Sequence, residues 1–497
     1  MYVKRLLDLL SRTPRRVVLH WRDRRITAGE LVADVHAAAT SFRRDGVGPG
    51  ATVAILAEPN SPPVLTARFA THLLGATVTH IRSMNARTDS GLLPPEEQAR
   101  VLHDTGAGVL LVDERNAARG RVLVATVPGL VLRHVDELTG DGSVPEFAPY
   151  RPGDPAVIDL TSGTASAPKL VVQSYASREA RIRVATGETT PERPIVLLCV
   201  TPVSHATASM VDATLLGGGA VVLHEEFTVE ATLRAVAELR VTDVYLAVPH
   251  LYRLIDHPGI ADADLSPLRL LLYSGTVAGP ARIAQAYAVF GDRISQLYGS
   301  TEAGGICALN PIDHAEPELL ASVGRPFSWM RLELRDPETG RPTPRGEIGE
   351  VWVRSDTLMS GYLGDPGPDA PSLHDGWLRT GDLARWDVYG YLHLVGRQGN
   401  VIKTNGLKIY PATVERVLLA HPAVADVTVF QECDPGRGEL SHAVVQWRAG
   451  AAATADDLRE HVTARLSADY VPDLFTFRDA IPLGPTGKPD LAALRAA

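Results

Sequence analysis

In its first third the chain runs Ala156-Val157-Ile158-Asp159-Leu160 and then Thr161-Ser162-Gly163-Thr164-Ala165-Ser166-Ala167-Pro168-Lys169. A short apolar run followed by small, hydroxyl-bearing residues predicts a buried strand that opens into a turn. Such a turn exposes successive backbone N–H groups, which form a concave surface suited to phosphate oxygens, and Lys169 adds a positive charge. The stretch is not a Walker A loop, because the second glycine–lysine pair of that motif is absent. Taken alone, it is equally compatible with an ordinary surface loop.

The composition indicates a soluble protein of more than one domain. The chain has 497 residues, more than one hydrophobic core normally supports. Apolar residues make up 45% and charged residues 22%, and the net charge of −9 argues against nucleic acid as the main partner. The only cysteines, Cys199, Cys307 and Cys433, are widely spaced. They form neither a disulfide framework nor a zinc pattern, and they fit a reducing compartment.

The beginning of the chain predicts a helix. Residues 1–10 combine a basic end with an apolar stripe, but they lack the uncharged core and cleavage site of a signal peptide. No apolar run approaches the roughly 18–20 residues that span a bilayer. We therefore expect a first amphipathic helix, no membrane partner and a cytoplasmic protein. The sequence indicates no oligomeric state.

Short apolar strands alternate with helical patterns along most of the chain. The predicted strands include 51–57, 76–81, 243–248 and 268–273, and the predicted helices include 63–74, 228–239 and 281–290. Strands separated by helices predict an α/β fold with parallel sheets built from βαβ units. Ligands of such sheets gather at the carboxyl ends of the strands. Both Thr161–Lys169 and Ser274-Gly275-Thr276 fall there.

After residue 346 the pattern changes to shorter, glycine-punctuated strands such as 350–353 and 391–395. A compact α+β unit follows, with helices predicted at 412–420 and 455–466 and strands near 424–431 and 442–447. We place a domain boundary near Arg397–Asn400, which divides the chain into residues 1–397 and 398–497. Gly399 supplies a freely rotating backbone there and is the candidate hinge.

A second polar motif is Gln296-Leu297-Tyr298-Gly299-Ser300-Thr301-Glu302-Ala303-Gly304-Gly305. Tyr298 is suited to stack on a purine, and Thr301 is suited to donate to a phosphate. Glu302 is suited to hold Mg²⁺, which prefers carboxylate oxygens. The alternative is a tight turn in which a hydroxyl and an acid cap a helix.

Three further segments carry candidate residues. In Trp377-Leu378-Arg379-Thr380-Gly381-Asp382-Leu383, the carboxylate of Asp382 is suited to accept both hydroxyls of a ribose, or it is an ordinary turn aspartate. The segment 396–406 begins Gly396-Arg397. The segment Gly484-Pro485-Thr486-Gly487-Lys488-Pro489 holds Lys488 in a rigid turn, which suits a residue delivered to a fixed point, although such lysines are usually idle at the surface.

These five segments, in this order and over the whole chain, resemble the adenylate-forming superfamily of acyl-CoA synthetases, luciferases and peptide-synthetase adenylation domains. The resemblance implies a large N-terminal domain of two α/β subdomains and a small β-barrel-like one, capped by a mobile α+β C-terminal domain. It also implies two half-reactions. A carboxylate attacks the α-phosphate of ATP with Mg²⁺ to give an acyl-adenylate and pyrophosphate, and rotation of the C-terminal domain then presents a second nucleophile.

The resemblance also implies roles for residues at matching motif positions. The pyrophosphate-cradling loop would comprise Thr161, Ser162, Gly163, Thr164 and Lys169. Gly275, Thr276 and Tyr298 would border the adenine.

The remaining roles concern the reacting groups. Thr301 would serve the phosphate, Glu302 and Thr164 the Mg²⁺, Asp382 the ribose hydroxyls, and Arg397 the ribose and phosphate. Lys488 would bridge the carboxylate and the α-phosphate, and His205 would contact the carboxylate.

The chain departs from the superfamily pattern at three places. Ala165-Ser166-Ala167 replaces a second Thr-Gly pair, Gly399 replaces the usual Asp or Lys of the hinge, and Ala412 replaces an acidic residue, although Glu415 remains. These differences indicate a specialised branch of the kind that serves secondary metabolism.

The segment Pro202-Val203-Ser204-His205-Ala206-Thr207-Ala208-Ser209-Met210 resembles the one that lines the acid pocket. Amino-acid-activating relatives place an aspartate at the position of His205, so an α-amino acid is not expected. A histidine there is typical of acyl- and aryl-CoA ligases, and the alternative is a packed histidine without substrate contact. The pocket residues are small and favour an aromatic or cyclic acid; they are Ala206, Ala208, Ser209, Gly299, Gly304 and Gly305.

Coenzyme A is the expected acceptor of the acyl group. The alternatives are a free amine, a carrier-protein thiol and an inorganic nitrogen nucleophile. A non-catalytic homologue is a further alternative, against which the retention of Lys488, Glu302, Asp382 and Arg397 argues. The expected ligands are therefore ATP, Mg²⁺, a small carboxylic acid and either coenzyme A or an amine.

Overall fold

The computed structural model describes residues 2–81, 93–140, 146–161, 169–186, 194–204, 206–276, 278–364, 373–404, 407–434, 438–448, 450–451, 453–482 and 489–495. We number its elements in chain order. The described helices are α1 Tyr2–Arg12, α2 Ala28–Arg44, α3 Pro62–Leu73, α4 Pro95–Asp104, α5 Ala117–Thr126, α6 Tyr175–Thr186, α7 Ala206–Leu216, α8 Val229–Glu238, α9 Val248–Ile255, α10 Pro280–Phe290, α11 Pro411–Leu419, α12 Ala455–Arg465 and α13 Leu491–Arg495.

The helices form where apolar spacing and capping agree. In α1, Val3, Leu6, Leu7 and Leu10 are buried at the i, i+3, i+4, i+7 spacing of one helical face, which confirms the predicted amphipathic helix. In α2, Thr27 and a glutamate three residues later cap each other's backbone N–H groups. No helix among the described residues is long and apolar enough to cross a membrane.

The first sheet has seven strands in the order β18-β8-β7-β4-β3-β5-β6. Its strands are β3 Thr52–Leu56, β4 Thr77–His80, β5 Ala107–Val112, β6 Val131–His134, β7 Pro155–Leu160, β8 Leu170–Ser174 and β18 Gly361–Tyr362. Pairing is parallel from β7 to β6 and antiparallel between β7, β8 and β18. Thr161–Lys169 therefore connects two antiparallel strands, where the sequence predicted only a strand entering a turn.

The second sheet has nine strands in the order β15-β14-β13-β12-β11-β9-β10-β1-β2. Its strands are β1 Val17–Trp21, β2 Arg24–Thr27, β9 Val196–Cys199, β10 Ala220–Leu223, β11 Asp243–Ala247, β12 Leu270–Ser274, β13 Ile294–Ser300, β14 Gly304–Leu309 and β15 Arg325–Pro326. The strands from β13 to β1 run parallel, so their carboxyl ends meet at one edge. The predicted parallel α/β architecture is confirmed, with antiparallel strands added at the sheet margins.

A third, antiparallel sheet joins β16-β17-β20-β19, with β21 paired to β20. Its strands are β16 Arg331–Arg335, β17 Gly349–Arg354, β19 Leu373–His374, β20 Trp377–Trp386 and β21 Leu392–Arg397. The C-terminal part contains the pair β22 Ile402–Thr404 and β23 Leu407–Ile409, and the sheet β24 Val424–Asp434, β25 Gly438–Trp447 and β26 Leu474–Arg478. A large N-terminal and a small α+β C-terminal domain are thus present as predicted.

The C-terminal elements dock on the N-terminal domain through α11. Arg416 donates a 2.9 Å hydrogen bond from Nη2 to the carbonyl O of Leu394 in β21. Gly279 lies against Leu419: a Cβ added to this glycine would be 2.9 Å from the Cβ of the leucine. A side chain at Gly279 would therefore push α11 away.

Candidate functional site

The motif around Tyr298 folds as a β-hairpin. β13 and β14 pair antiparallel, with Ser300 opposite Gly304 and a bulge between Tyr298 and Gly299. The turn consists of residues 301–303, and Ser300 Oγ accepts a 3.1 Å hydrogen bond from the backbone N of Ala303. The hairpin therefore presents Thr301 and Glu302 at the carboxyl end of β13.

The glycines of this hairpin are required by space and conformation. A Cβ at Gly299 would collide with the carbonyl O of Gly304. Gly304 has a φ of +75°, in the left-handed region that favours glycine. A Cβ at Gly305 would lie 3.1 Å from the ring of Phe327. The turn thus explains these glycines by itself, and their predicted place in an acid pocket remains a prediction.

Asp382 lies between Tyr298 and Arg397. Its Oδ2 accepts a 2.7 Å hydrogen bond from the hydroxyl of Tyr298, and its Oδ1 accepts one of 2.8 Å from Nε of Arg397. Asp382 and Arg397 are directly opposite in the β20–β21 pair. The negative charge of Asp382 raises the pKa of Arg397. Each carboxylate oxygen keeps a second lone pair, so Asp382 can still accept two hydroxyl donors.

Burial raises the pKa of Tyr298 well above its ordinary value, and the charge of Asp382 adds to the effect. The hydroxyl therefore stays protonated and donates to the carboxylate. Sequence reasoning considered the ring of Tyr298 as a stacking surface. It did not anticipate this use of the hydroxyl, and the stacking remains a prediction.

Tyr362 contacts both the candidate metal ligand and Lys169, the last residue of the predicted phosphate loop. Its hydroxyl donates a 2.9 Å hydrogen bond to Oε1 of Glu302, and Nζ of Lys169 lies 4.6 Å from the centroid of its ring. Tyr362 belongs to β18, which pairs with β8 immediately after Lys169. The three side chains bring a carboxylate, a phenol and an ammonium group together where the first and second sheets meet.

The sequence analysis did not identify Tyr362 as a site residue. Its position directly after Gly361 and two residues before Gly364 was a usable signal, because an aromatic residue flanked by glycines often marks a site. Thr357 was missed as well; its Oγ1 donates a 2.9 Å hydrogen bond to the carbonyl O of Ala303. The backbone N of Met359 donates to the carbonyl O of Glu302 at 2.7 Å. The segment 357–362 therefore holds the hairpin turn against the first sheet.

Helix α6 supplies a third missed residue, Arg181. Its Nη2 donates to the carbonyl O atoms of Thr301 and Glu302 at 3.0 and 3.1 Å, and its Nε donates to that of Thr357 at 2.8 Å. Burial lowers the pKa of Arg181 to about 10. The side chain still carries its charge at neutral pH and fixes the backbone of the turn.

The nine-stranded sheet brings three predicted segments to one edge. Gly275 and Thr276 follow β12, Thr301 and Glu302 follow β13, and the predicted acid-pocket segment, 202–210, follows β9. Gly275 is exposed, with a φ of +109°. Since these strands are parallel, their carboxyl ends lie side by side.

In the predicted acid-pocket segment, Ala206 is exposed, Ser209 is half-buried and Ala208 is buried. Two polar side chains hold the backbone ahead of α7. Asn60 Oδ1 accepts a 3.0 Å hydrogen bond from the N of Val203, and Arg68 Nη1 donates one of 2.7 Å to its carbonyl O.

Of the remaining predicted residues, the structure describes Thr161, Lys169 and Gly399. The backbone N of Thr161 donates to the carbonyl O of Lys169 at 2.9 Å, and the N of Lys169 donates to Oγ1 of Thr161 at 3.2 Å, which closes the base of the loop. Gly399 lies exposed in a short 3-10 helix, Gln398–Asn400. The predicted residues outside the described part of the chain are Ser162, Gly163, Thr164, His205 and Lys488.

The described donors and acceptors fit Mg·ATP. Oε2 of Glu302 has no hydrogen bond to another described residue, so one carboxylate oxygen is available to a cation. No group of three or more His, Cys, Asp or Glu side chains that could hold a metal occurs within the described residues. A single carboxylate suits Mg²⁺ that takes its other ligands from phosphate oxygens and water.

Comparison with known proteins connects this geometry to a family. A family profile described as "AMP-binding enzyme" matches residues 8–363, and one described as "AMP-binding enzyme C-terminal domain" matches residues 413–488. A medium/long-chain-fatty-acid–CoA ligase of Mycobacterium tuberculosis is 33% identical over 99% of this chain and 89% of its own length. A feruloyl-CoA synthase of an Amycolatopsis species is 36% identical over 93% of this chain and 92% of its own.

A solved structure is similar over the whole chain. The amide bond synthetase McbA of Marinactinospora thermotolerans superposes with a TM-score of 0.87 and 33% identity, covering 100% of this chain and 99% of that one.

Proposed function

As a member of the AMP-binding enzyme family, the chain is an AMP-forming ligase of the adenylate-forming superfamily, and we propose that it activates an aromatic or cyclic carboxylic acid for transfer to coenzyme A. ATP binding and adenylate-forming activity come with the family. The class of acid, the acceptor and the role of each site residue are our proposal.

The observation that supports the proposal best is the position of Asp382. Its carboxylate is held between the hydroxyl of Tyr298 and the guanidinium of Arg397, with lone pairs left for a ribose. Tyr298 precedes the turn that carries Glu302, and Glu302 contacts the phenol that lies beside Lys169. The candidate ribose, metal and phosphate partners are thus linked by a chain of contacts through Tyr298 and Tyr362.

We assign the roles as follows. Asp382 and Arg397 bind the ribose, while Gly275, Thr276 and Tyr298 border the adenine. The loop from Thr161 to Thr164, with Lys169, binds the β- and γ-phosphates. Glu302 and Thr164 would hold Mg²⁺, which would supply charge neutralisation on the leaving pyrophosphate.

In the first half-reaction, a carboxylate oxygen of the acid attacks the α-phosphorus. The bond from this phosphorus to the bridging oxygen breaks, and pyrophosphate leaves with the electron pair. We assign Lys488 the role of bridging the acid carboxylate and the α-phosphate, where its positive charge would hold the two anions together and stabilise the transition state. Thr301 donates to the α-phosphate, and His205 contacts the acid carboxylate.

In the second half-reaction, residues 398–497 rotate about Gly399 relative to residues 1–397 and admit the acceptor. The sulfur of coenzyme A attacks the acyl carbon, and AMP leaves. Feruloyl-CoA synthase, at 36% identity, supports an aryl acid and a thioester product. The cysteine usage supports a cytoplasmic location.

An amine acceptor is the second candidate. The similarity to McbA, an amide bond synthetase, over the entire chain favours it. In that case the amine nitrogen attacks the acyl-adenylate directly and gives an amide and AMP.

The test begins with purified protein, Mg·ATP and a panel of aryl, cyclic and fatty acids, with pyrophosphate release as the readout. The best acid is then offered coenzyme A, simple amines and nitrite. We expect a thioester. An amide formed efficiently without coenzyme A would replace the lead proposal by the second candidate.

The role of Lys488 is tested by Lys488→Ala, with Lys408→Ala as the control at an exposed lysine of the same C-terminal part. We expect the first variant to lose at least about 10²-fold in pyrophosphate release, the typical cost of a lost transition-state contact, and the second to stay near wild type. Near-normal release by the Lys488 variant would refute the assignment.

A further inference from the structure

A buried charged cluster lies beneath the helix that carries the proposed acid pocket. Asp212 of α7 is fully buried and accepts from two arginines: Oδ1 is 2.5 Å from Nη2 of Arg68, and Oδ2 is 2.5 Å from Nη2 of Arg178. Both arginine side chains are at most 3% exposed. Removing one partner of such a cluster is costly, because it leaves a buried charge uncompensated. The position of Arg178 is therefore strongly constrained.

The second terminal nitrogen of Arg178 reaches Ser209. Nη1 donates a 3.2 Å hydrogen bond to Oγ of Ser209, which lies three residues before Asp212 on α7. Ser209 is half-buried, unlike the cluster below it. Among the described residues, the hydroxyl makes no other hydrogen bond.

The chemistry of the two groups determines which of them donates the hydrogen bond. A guanidinium has donors only, so Ser209 must accept from Arg178 with one of its lone pairs. The single hydroxyl hydrogen then remains for another partner. A neighbouring cation also polarises the O–H bond and makes it a stronger donor, as in other charge-assisted hydrogen bonds.

We propose that Arg178 is a positioning residue that turns the hydroxyl of Ser209 into a hydrogen-bond donor for the acid, and that the preferred acid carries an acceptor atom on its ring or ring substituent. Suitable acceptors are a ring nitrogen, an ether oxygen or a carbonyl oxygen. An ammonium group is disfavoured at this position, because it would face both the donor and the buried cation. This inference rests on the proposed function and names the substrate class of its acid pocket.

The surroundings support a fixed rather than an adaptable donor. Arg68 also donates to the carbonyl O of Val203 at 2.7 Å, which ties the cluster to the segment that precedes α7. Asp159, a second buried acid, interacts electrostatically with Arg178 and accepts a 2.9 Å hydrogen bond from Nε2 of Gln173. Ser209 is thus the half-buried end of a cluster whose other side chains are buried and held by hydrogen bonds.

The test compares matched pairs of acids that differ by one acceptor atom, such as benzoate with pyridine carboxylates, naphthoate with quinoline carboxylates, and ethylbenzoate with methoxybenzoate. Pyrophosphate release gives kcat and KM for wild type, Ser209→Ala and Ser209→Thr. Ser41→Ala is the control, since it removes a buried serine hydroxyl from α2, a helix outside the acid-pocket segment. Thermal unfolding confirms that each variant is folded.

We expect wild type to prefer the acceptor-bearing member of at least one pair. Ser209→Ala should lower kcat/KM for that acid by about ten- to hundredfold, mainly through KM, and change its partner by less than about threefold. Ser209→Thr should restore the preference because it keeps a hydroxyl. Arg178→Lys keeps the positive charge but loses the two separate N–H donors that reach Asp212 and Ser209. It should therefore weaken the preference without abolishing turnover of the acid that lacks the acceptor atom.

Two outcomes would overturn the inference. If wild type shows no preference in any pair, or if Ser209→Ala changes both members equally, Ser209 does not select the acid, while the proposed function stands. If wild type releases no pyrophosphate with any acid, the proposed function fails and this inference fails with it.

Discussion

The hydroxyl of Tyr298 donates a 2.7 Å hydrogen bond to Oδ2 of Asp382, although 84 residues separate them in the chain. The bond joins the second sheet, through β13, to the third sheet, through β20. Its acceptor is the carboxylate that we assign to the ribose. The position of the proposed sugar ligand therefore depends on a side chain from another sheet.

Tyr298→Phe tests this relationship. The ring stays and the donor is lost, so Asp382 is less constrained and binds the ribose less well. A hydrogen bond to a charged group contributes about 1.5–3 kcal/mol, which corresponds to a rise in the KM for ATP of roughly ten- to hundredfold. Pyrophosphate release at varied ATP measures it.

Tyr287→Phe is the matched control, because Tyr287 also donates to an aspartate, Asp292, but at the exposed surface. We expect no change in its KM. An unchanged KM in the Tyr298 variant would show that the hydroxyl does not position the nucleotide ligand.

Tyr362→Phe should raise the Mg²⁺ concentration needed for half-maximal activity. The change removes the 2.9 Å hydrogen bond that orients Oε1 of Glu302, and outer partners of metal ligands typically contribute about 10–100-fold to metal affinity. Tyr362→Leu should be worse, because the ring that faces Lys169 is also lost. Activity titrated with Mg²⁺ measures both effects.

Tyr389→Phe serves as the control, since that side chain is 73% exposed. Equal Mg²⁺ requirements in wild type and Tyr362→Phe would argue against a metal-orienting role.

Arg181→Met should destabilise the protein. The guanidinium donates to three carbonyl groups around the 301–303 turn, and the substitution removes all three charge-assisted hydrogen bonds. The carbonyl of Glu302 keeps the N–H of Met359 and that of Thr357 keeps the hydroxyl of Ser177, whereas that of Thr301 loses its donor. We expect a loss of about 2–4 kcal/mol in the free energy of unfolding, which urea denaturation measures.

Arg183→Met, two residues along α6, removes a side chain that is 69% exposed and lies 3.8 Å from Asp356. Its stability should change by less than about 0.5 kcal/mol. Similar losses in both variants would mean that the carbonyl contacts of Arg181 contribute little.

Glu415 should make stability depend on pH. Burial raises its pKa to about 7 from 4.5, and nearby Asp426 adds to the rise. Between these two pH values the folded state holds a proton that the unfolded state releases, so stability falls as pH rises and levels off above about 7. The contribution is at most about 3 kcal/mol.

Glu415→Gln stays uncharged and keeps an acceptor for the N–H of Val429. It should therefore be more stable than wild type at pH 8 and similar at pH 4.5, as measured by denaturation at both values. Asp426, whose pKa burial raises to about 6, leaves part of the slope in place. Glu460→Gln, at an exposed site, is the control. A constant difference between wild type and Glu415→Gln across this range would contradict the prediction.

Local patterns in the sequence were sufficient for the fold class and for the segments of the site. Alternating apolar runs and helical spacing predicted the parallel strands, because each element must bury one side against its neighbours. A tight turn was the alternative interpretation of the glycine-rich motif at Tyr298, and a turn is present at residues 301–303, although it joins two strands rather than capping a helix. The parallel strand order then explains why the segments that follow β9, β12 and β13, which are distant in the sequence, meet at one edge of the second sheet.

Only the tertiary structure decided which side chains meet. Nothing local to Tyr362 indicates Glu302, nothing local to Arg178 indicates Ser209, and nothing local to Arg181 indicates the turn beyond β13. Each pair joins different elements, and its geometry follows from how sheets and helices pack rather than from backbone preference. Sequence periodicity reports which side of an element is buried, whereas the partner of a polar group depends on whatever the fold places opposite it.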